Sequence, residues 1–301
     1  MRAMIFFNSG ETNMIKASIL VLTGRNCDAQ SLKALCAVAA KRDLHLSILV
    51  VGRLPELPIY ATGMGDFAGS ADYELWQKDL NEEKAILQAT AQRLTDMLAE
   101  QHGPSHVQST VSVLTADPVT FSDALARQAL TADLVLATND LRDDQELFNQ
   151  VVRAGLFHSP AATLLNGLQG ETPLYPKRVF IAWNSGIQAS RAIRAAMPIL
   201  KTAEEIVVAL IDPVMSAHRD GENPGSDVAH WLSHLGCNVN VQQYPSGGME
   251  IGECLLKRAQ EVQADLIVMG AYDHSRMRQI IFGGTTRTMV EQTGMPVLLA
   301  H

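Results

Sequence analysis

The segment 265-DLIVMGAYDHSRMRQIIFGGTTRTMVEQTGMPVLLAH-301 holds the order that decides the fold. Residues 265–270 form an apolar run opened by a single aspartate, the pattern of a strand buried on both faces of a sheet. A polar loop leads to the glycines at 283 and 284, a helical pattern covers 284–294, and 295–300 is a second apolar strand. A strand that returns beside its neighbour only after a helix is the unit of a parallel α/β sheet.

Upstream, the same alternation repeats. Strands are expected at 178–183, 205–212 and 238–244, and helices at 187–200, 226–236 and 251–263. In the helix at 187–200 the apolar positions Ile187, Ala189, Ile193, Ala196, Met197 and Leu200 recur at helical spacing. The first half of the chain gives the same order: strands at 17–23, 44–52, 107–114, 133–138 and 161–166, and helices at 28–42, 74–102, 118–131 and 145–157. The phrase ADLVLAT at 132–138 parallels ADLIVMG at 264–270, and in each half a helix and an apolar strand follow. Duplication of one α/β unit explains this better than one large irregular sheet.

The expected fold is therefore α/β, with two tandem Rossmann-like open parallel five-stranded sheets, helices on both faces, and the two units packed as a pseudo-dimer. The divisions are 15–168 for the amino-terminal unit, 169–176 for a linker and 177–301 for the carboxyl-terminal unit. Such an intrachain pair can associate again as a homodimer. Leu75, Leu80, Ile86, Leu87, Ala91, Leu94 and Leu98 on the long first-unit helix either cover its own sheet or meet a partner, own-core packing being the simpler reading.

Composition narrows the function classes. At 301 residues with 47% hydrophobic and 19% charged residues, the chain has the profile of a folded globular protein rather than a disordered one. A net charge of -8 and the lack of a basic cluster argue against nucleic acid as a partner. No uninterrupted apolar run reaches the length of a membrane span, and the opening residues have neither a long apolar core nor a small-residue cleavage site, so a cytoplasmic protein without membrane attachment is expected. Cys27, Cys36, Cys237 and Cys254 are widely spaced and form no CxxC pair, as suits free thiols.

In open parallel sheets ligands sit beyond the carboxyl ends of the strands, where the strand order reverses. Two segments of the second unit end there, 180–186 and 268–275. Gly270 is expected to let the chain turn after its strand, and Gly283 and Gly284 to let backbone N–H groups at the start of the last helix approach an anion. Thr285 and Thr286 can add hydroxyl donors to phosphate oxygens. Neither a Walker A loop nor a GxGxxG fingerprint is present. No catalytic group stands out: Ser185 and Ser275 lie in no GxSxG elbow, and Asp273 with His274 is explained as loop polarity. His230 and His234 share a helical face but have no third ligand in sequence reach, so no metal site is assigned.

The second half is similar to a universal stress protein domain, and the whole chain resembles the tandem form in which two such domains are fused. The family's phosphate motif reads Gly, two residues, Gly, nine residues, Gly, then Ser or Thr. Gly270 and Gly283 match its first and third glycines, Asp273 stands at the second, and Gly284 stands at the Ser or Thr place with Thr285 and Thr286 behind it. The resemblance implies an adenine nucleotide, ATP or a relative, held with or without Mg2+. Gly270, Asp273, Arg276, Gly283, Gly284, Thr285 and Thr286 would lie at the phosphates, and Ala182, Trp183 and Asn184 on the adenosine side. Asn184 stands where the family uses an acidic residue, and either contacts adenosine or joins Ser185 in capping the helix that starts near Ile187. Asp273 either assists a metal or sets specificity, or else weakens nucleotide binding by repelling phosphate. The first half has no glycine after its fourth strand, in 139-NDLRDDQELFNQ-150, so its phosphate cradle is missing. The implied function is a nucleotide-binding stress response module without strong catalysis. The alternatives are a partner-binding scaffold and a weak Mg-dependent ATP hydrolase.

Overall fold

The computed structural model describes residues 17–42, 44–56, 70–102, 109–116, 119–168, 172–216, 218–271 and 284–301. The amino-terminal half contains β1 (Ser18–Thr23), α1 (Ala29–Arg42), β2 (His45–Val51), α2 (Ser70–His102), β3 (Ser109–Leu114), α3 (Phe121–Ala129), β4 (Leu134–Ala137), α4 (Gln145–Phe157) and β5 (Ala162–Leu165). The carboxyl-terminal half contains β6 (Arg178–Ala182), α5 (Ile187–Leu200), β7 (Glu205–Ile211), α6 (Ser226–His234), β8 (Val239–Tyr244), α7 (Ile251–Glu261), β9 (Leu266–Gly270), α8 (Gly284–Glu291) and β10 (Val297–Ala300). The expected order of elements is found in both halves.

The α/β class holds, but the expected pair of separate sheets does not. The ten described strands form one sheet, in the order β3-β2-β1-β4-β5-β10-β9-β6-β7-β8. Each half is parallel within itself. The halves meet where β10 runs antiparallel to β5, with Val297 opposite Leu165, Leu298 opposite Leu164 and Leu299 opposite Thr163. The reason is physical: the last strand of each unit would otherwise expose an unpaired backbone edge, and each edge satisfies the other.

Alternation along the strands sends neighbouring residues to opposite faces, so the sheet carries two apolar layers. One contains Ile19, Val21, Val179, Ile181 and Leu298; the other contains Leu20, Leu22, Phe180, Phe148 and Leu299. Both layers run across the β5–β10 junction. β4, β5 and β10 are buried along their whole length, whereas β3 and β8, the outermost strands, are only partly buried. On α2, Leu87, Ala91, Leu94 and Leu98 enter the core, while Leu75 stays exposed. Own-core packing therefore accounts for the carboxyl-terminal part of that helix. The stretch read as a linker is partly structural too: Leu174 is buried and the Arg42 guanidinium lies 4.3 Å over the Tyr175 ring.

Side chains also lock the halves together. Arg142, in a 3-10 turn at Asn139–Asp143, stacks 4.2 Å over Phe148 and donates to Val290 O at 2.8 Å, Gln292 O at 3.2 Å and Asn166 Oδ1 at 3.2 Å. Asn166 Nδ2 donates to Gln292 O and Met295 O, both at 3.0 Å. An arginine and an asparagine of the first half thus satisfy carbonyls around the end of α8 in the second, where a positive charge is also favoured by the helix dipole. Burial lowers the Arg142 pKa from the ordinary arginine value.

Replacing Arg142 by alanine would remove the donor to Val290 O and Asn166 Oδ1 and one of the two donors to Gln292 O, and should lower stability by about 2–3 kcal/mol, read as a reduced urea midpoint. Stability should also fall in alkali. Burial raises the Cys27 and Cys36 thiols from 9.0 to about 11, so the folded chain keeps them protonated where the unfolded chain ionises. Their contribution is full below pH 9 and is lost as the pH rises towards 11. Urea titrations across that range should show the decline, and a Cys27→Ala, Cys36→Ala variant should flatten it.

Candidate functional site

In the second half the strand order reverses at β6, which has β9 on one side and β7 on the other. The loops after β6, β7 and β8 all lie beyond the carboxyl ends of these parallel strands. Ala182 closes β6 and is half-buried. Trp183 packs against the core and its N–H donates to Ala209 O at 2.9 Å, so its backbone extends the sheet. Asn184 is exposed, and its Oδ1 accepts the Gly186 N–H at 3.1 Å. That bond tightens the turn before α5. The residue at the helix cap is Gly186 itself, without a side-chain cap, so Asn184 and Ser185 do not cap α5 in the expected way.

Ser185 has a positive φ of 58° and donates its hydroxyl to Asp220 Oδ1 at 2.8 Å. The other Asp220 oxygen accepts the Val214 N–H at 2.8 Å. Asp212, with φ 47°, accepts the Ser246 N–H at 3.0 Å. Hydrogen bonding from the Ser246 side chain and then its backbone lowers the Asp212 pKa. Carboxylates therefore tie the loop after β6 to that after β7, and the loop after β7 to that after β8.

Gly270 has a different role from the expected turn. It remains in the sheet opposite Ala300, and a Cβ there would stand 2.4 Å from Ala189 N and 2.5 Å from Gln188 C. The first turn of α5 crosses directly over it. Only a residue without a side chain permits that approach, so packing explains this glycine. Asp273, Arg276 and Gly283 lie outside the described residues. Gly284 begins α8 and is exposed, Thr285 is half-buried and Thr286 is buried.

One neighbour of the α8 start was missed in the sequence. Glu250 caps α7, its Oε2 accepting the Glu253 N–H at 3.0 Å. The same oxygen accepts the Thr288 hydroxyl at 3.2 Å, and Oε1 lies 3.3 Å from where a Gly284 Cβ would stand. The capping was legible, because an acceptor precedes the apolar helix pattern by one residue. The contact with α8 was not, since it joins residues 38 apart in the chain.

The equivalent switch point of the first half, between β1 and β4, is closed differently. Asp140 Oδ2 accepts the Gly24 N–H at 2.7 Å, and Asp140 also takes the hydroxyls of Thr23 and Thr138. A carboxylate of the chain holds the backbone donor that an anionic ligand would use. Gly24 and Arg25 line a cleft of about 640 Å³ together with Arg53, Asp143, Asp144 and Glu146. Arg25 pairs with Glu83 at 3.1 Å and Arg53 with Asp144 at 3.3 Å. No group of His, Cys, Asp and Glu suited to a metal ion is formed among the described residues.

Two doubly wound units joined edge to edge, with a cleft at the switch point of the first, define the class of protein. Within it, residues 247–301 match the model of the Universal stress protein family. A universal stress protein from Archaeoglobus fulgidus DSM 4304 superposes with a TM-score of 0.58 at 13% identity, covering 94% of this chain and 95% of that one. A protein of Pseudomonas aeruginosa UCBPP-PA14, named provisionally as a universal stress protein, gives 0.54 at 15% identity over 95% and 94%. A functionally unknown protein of Pseudomonas aeruginosa PAO1 gives 0.51 at 15% over 95% and 93%. No curated protein matches the chain. The match to the family model is confined to residues 247–301, and the chain as a whole shares the fold of these solved structures.

The geometry separates the two glycines of the site. Gly270→Ala should destabilise the chain by about 3 kcal/mol, because the clash is with backbone, whereas Gly284→Ala should cost less than about 1 kcal/mol. Urea denaturation of the two variants checks the contrast.

Proposed function

We propose that this chain is a stress response module that binds an adenine nucleotide in its carboxyl-terminal unit and has no strong catalytic activity. The observation that supports the reading is the start of α8, with Gly284 exposed and Thr285 half-buried, which follows β9 in the chain and lies within the segment that matches the family. The N–H groups of a helix start favour an anion, and the switch point is where an open α/β sheet takes ligands. Trp183 and Asn184 occupy the opposite lip, where they meet the adenosine. Gly270 contributes by letting α5 pack close to β9, which brings both lips together.

The amino-terminal unit, 15–168, does not hold the nucleotide, because Asp140 already occupies its backbone donor. Residues 169–176 connect it to the binding unit, 177–301. Occupancy passes between units through α8, whose end is held by Arg142 and Asn166. Mg2+ would accompany a polyphosphate to offset the carboxylates nearby, and any hydrolysis is slow. The protein acts in the cytoplasm, free of membrane and nucleic acid. This last placement accords with the acidic charge and with the lack of a described helix long and apolar enough to cross a bilayer.

Calorimetric titration of the nucleotide-stripped chain with ATP, ADP and AMP, each with and without Mg2+, should show saturation near one ligand per chain. Gly283→Trp should then weaken binding by at least about tenfold without changing the melting temperature of the free protein. No heat and no thermal stabilisation by any nucleotide would instead support a scaffold that binds a protein partner.

A further inference from the structure

The side chain that faces the start of α8 is a carboxylate held on two sides. Glu250 Oε2 is fixed by the Glu253 N–H at 3.0 Å and the Thr288 hydroxyl at 3.2 Å. Thr288 also donates to Gly284 O at 3.1 Å. Gly252 keeps α7 and α8 close: a Cβ there would stand 2.7 Å from Thr288 Cβ and 2.8 Å from Glu250 Oε2. The Glu250 head therefore has little freedom to leave. Its second oxygen lies 3.3 Å from the point where a Gly284 side chain would begin. In the motif set out above, that point carries the Ser or Thr hydroxyl. Here the hydroxyl is absent and a negative charge faces its place.

We propose that Glu250 is a specificity determinant of the carboxyl-terminal cleft, turning it from triphosphates towards adenosine and the monophosphate. The inference rests on the nucleotide reading above and specifies the ligand within it. Like charges repel, and the penalty grows with the ligand's charge. Adenosine carries no phosphate and escapes it. A monophosphate directs less charge towards α8 than a triphosphate, and Mg2+ neutralises part of either tail.

The test is calorimetric titration of the full-length wild type, Glu250→Gln and Glu250→Asp with adenosine, AMP and Mg-free ATP. Glutamine keeps an acceptor for Glu253 N–H and Thr288 and removes only the charge. Wild type should bind ATP at least about tenfold more weakly than adenosine. The glutamine variant should close that gap while leaving adenosine affinity and melting temperature unchanged, and the aspartate variant should retain a gap. A purely structural cap would move melting temperature and all three affinities together. If ATP binds wild type as tightly as adenosine, or the gap persists in Glu250→Gln, Glu250 does not set the preference and the nucleotide reading stands. If no adenine compound binds any variant, both fall.

Discussion

The antiparallel pairing of β5 with β10 is the contact on which the rest of the architecture depends. A parallel α/β unit ends at a strand whose outer N–H and C=O groups lack partners, and a duplicated unit has two such edges. Joining them removes both and makes the apolar layer on each face continuous from one half to the other. The backbone ladder is short, and Arg142 and Asn166 extend it with hydrogen bonds to carbonyls of the second half. The carboxyl-terminal His301 adds to the seam, its ring lying edge-on to Phe157 of α4 at 4.9 Å.

This makes α8 a shared element. Its end is held by the amino-terminal half, and its start faces the candidate cleft beside Glu250. A short helix fixed at both ends moves as a unit more readily than it bends, so a change at one end has a mechanical route to the other. The two halves also share a chemical theme. In the first half Asp140 binds the backbone donor of Gly24 directly; in the second Glu250 faces Gly284 from α7. Both halves thus hold a carboxylate beside a glycine, and they differ in that Asp140 accepts the Gly24 N–H whereas Glu250 is held by Glu253 N–H and the Thr288 hydroxyl.

The linkages among loops follow the same economy of short polar side chains. Asp212 and Asp220 hold the segments after β6, β7 and β8 in register, with Ser185 and Asp212 in the left-handed region. Positive φ at such non-glycine residues is tolerated where surrounding bonds fix the backbone. The loops beyond these strands are therefore held in place by the chain's own hydrogen bonds.

Element order was legible in the chain because buried parallel strands are continuous apolar runs and the helices that cover them repeat at 3.6 residues, both local properties. Runs such as 265-DLIVMG-270 and 133-DLVLAT-138 determined their strands, and the order of strands and helices determined the α/β class and its duplication. Contacts between residues distant in sequence were decided only by the tertiary structure. One sheet replaced two because edge pairing depends on unsatisfied backbone groups, which leave no side-chain signature. Gly270 reads locally as a turn, yet the passage of α5 over β9 sets its role. Asn184 reads as either a ligand contact or a cap, and its actual bond is to Gly186. Glu250 announces itself only as the start of a helix; that it also faces α8 follows from the close packing of two helices, which no local pattern encodes.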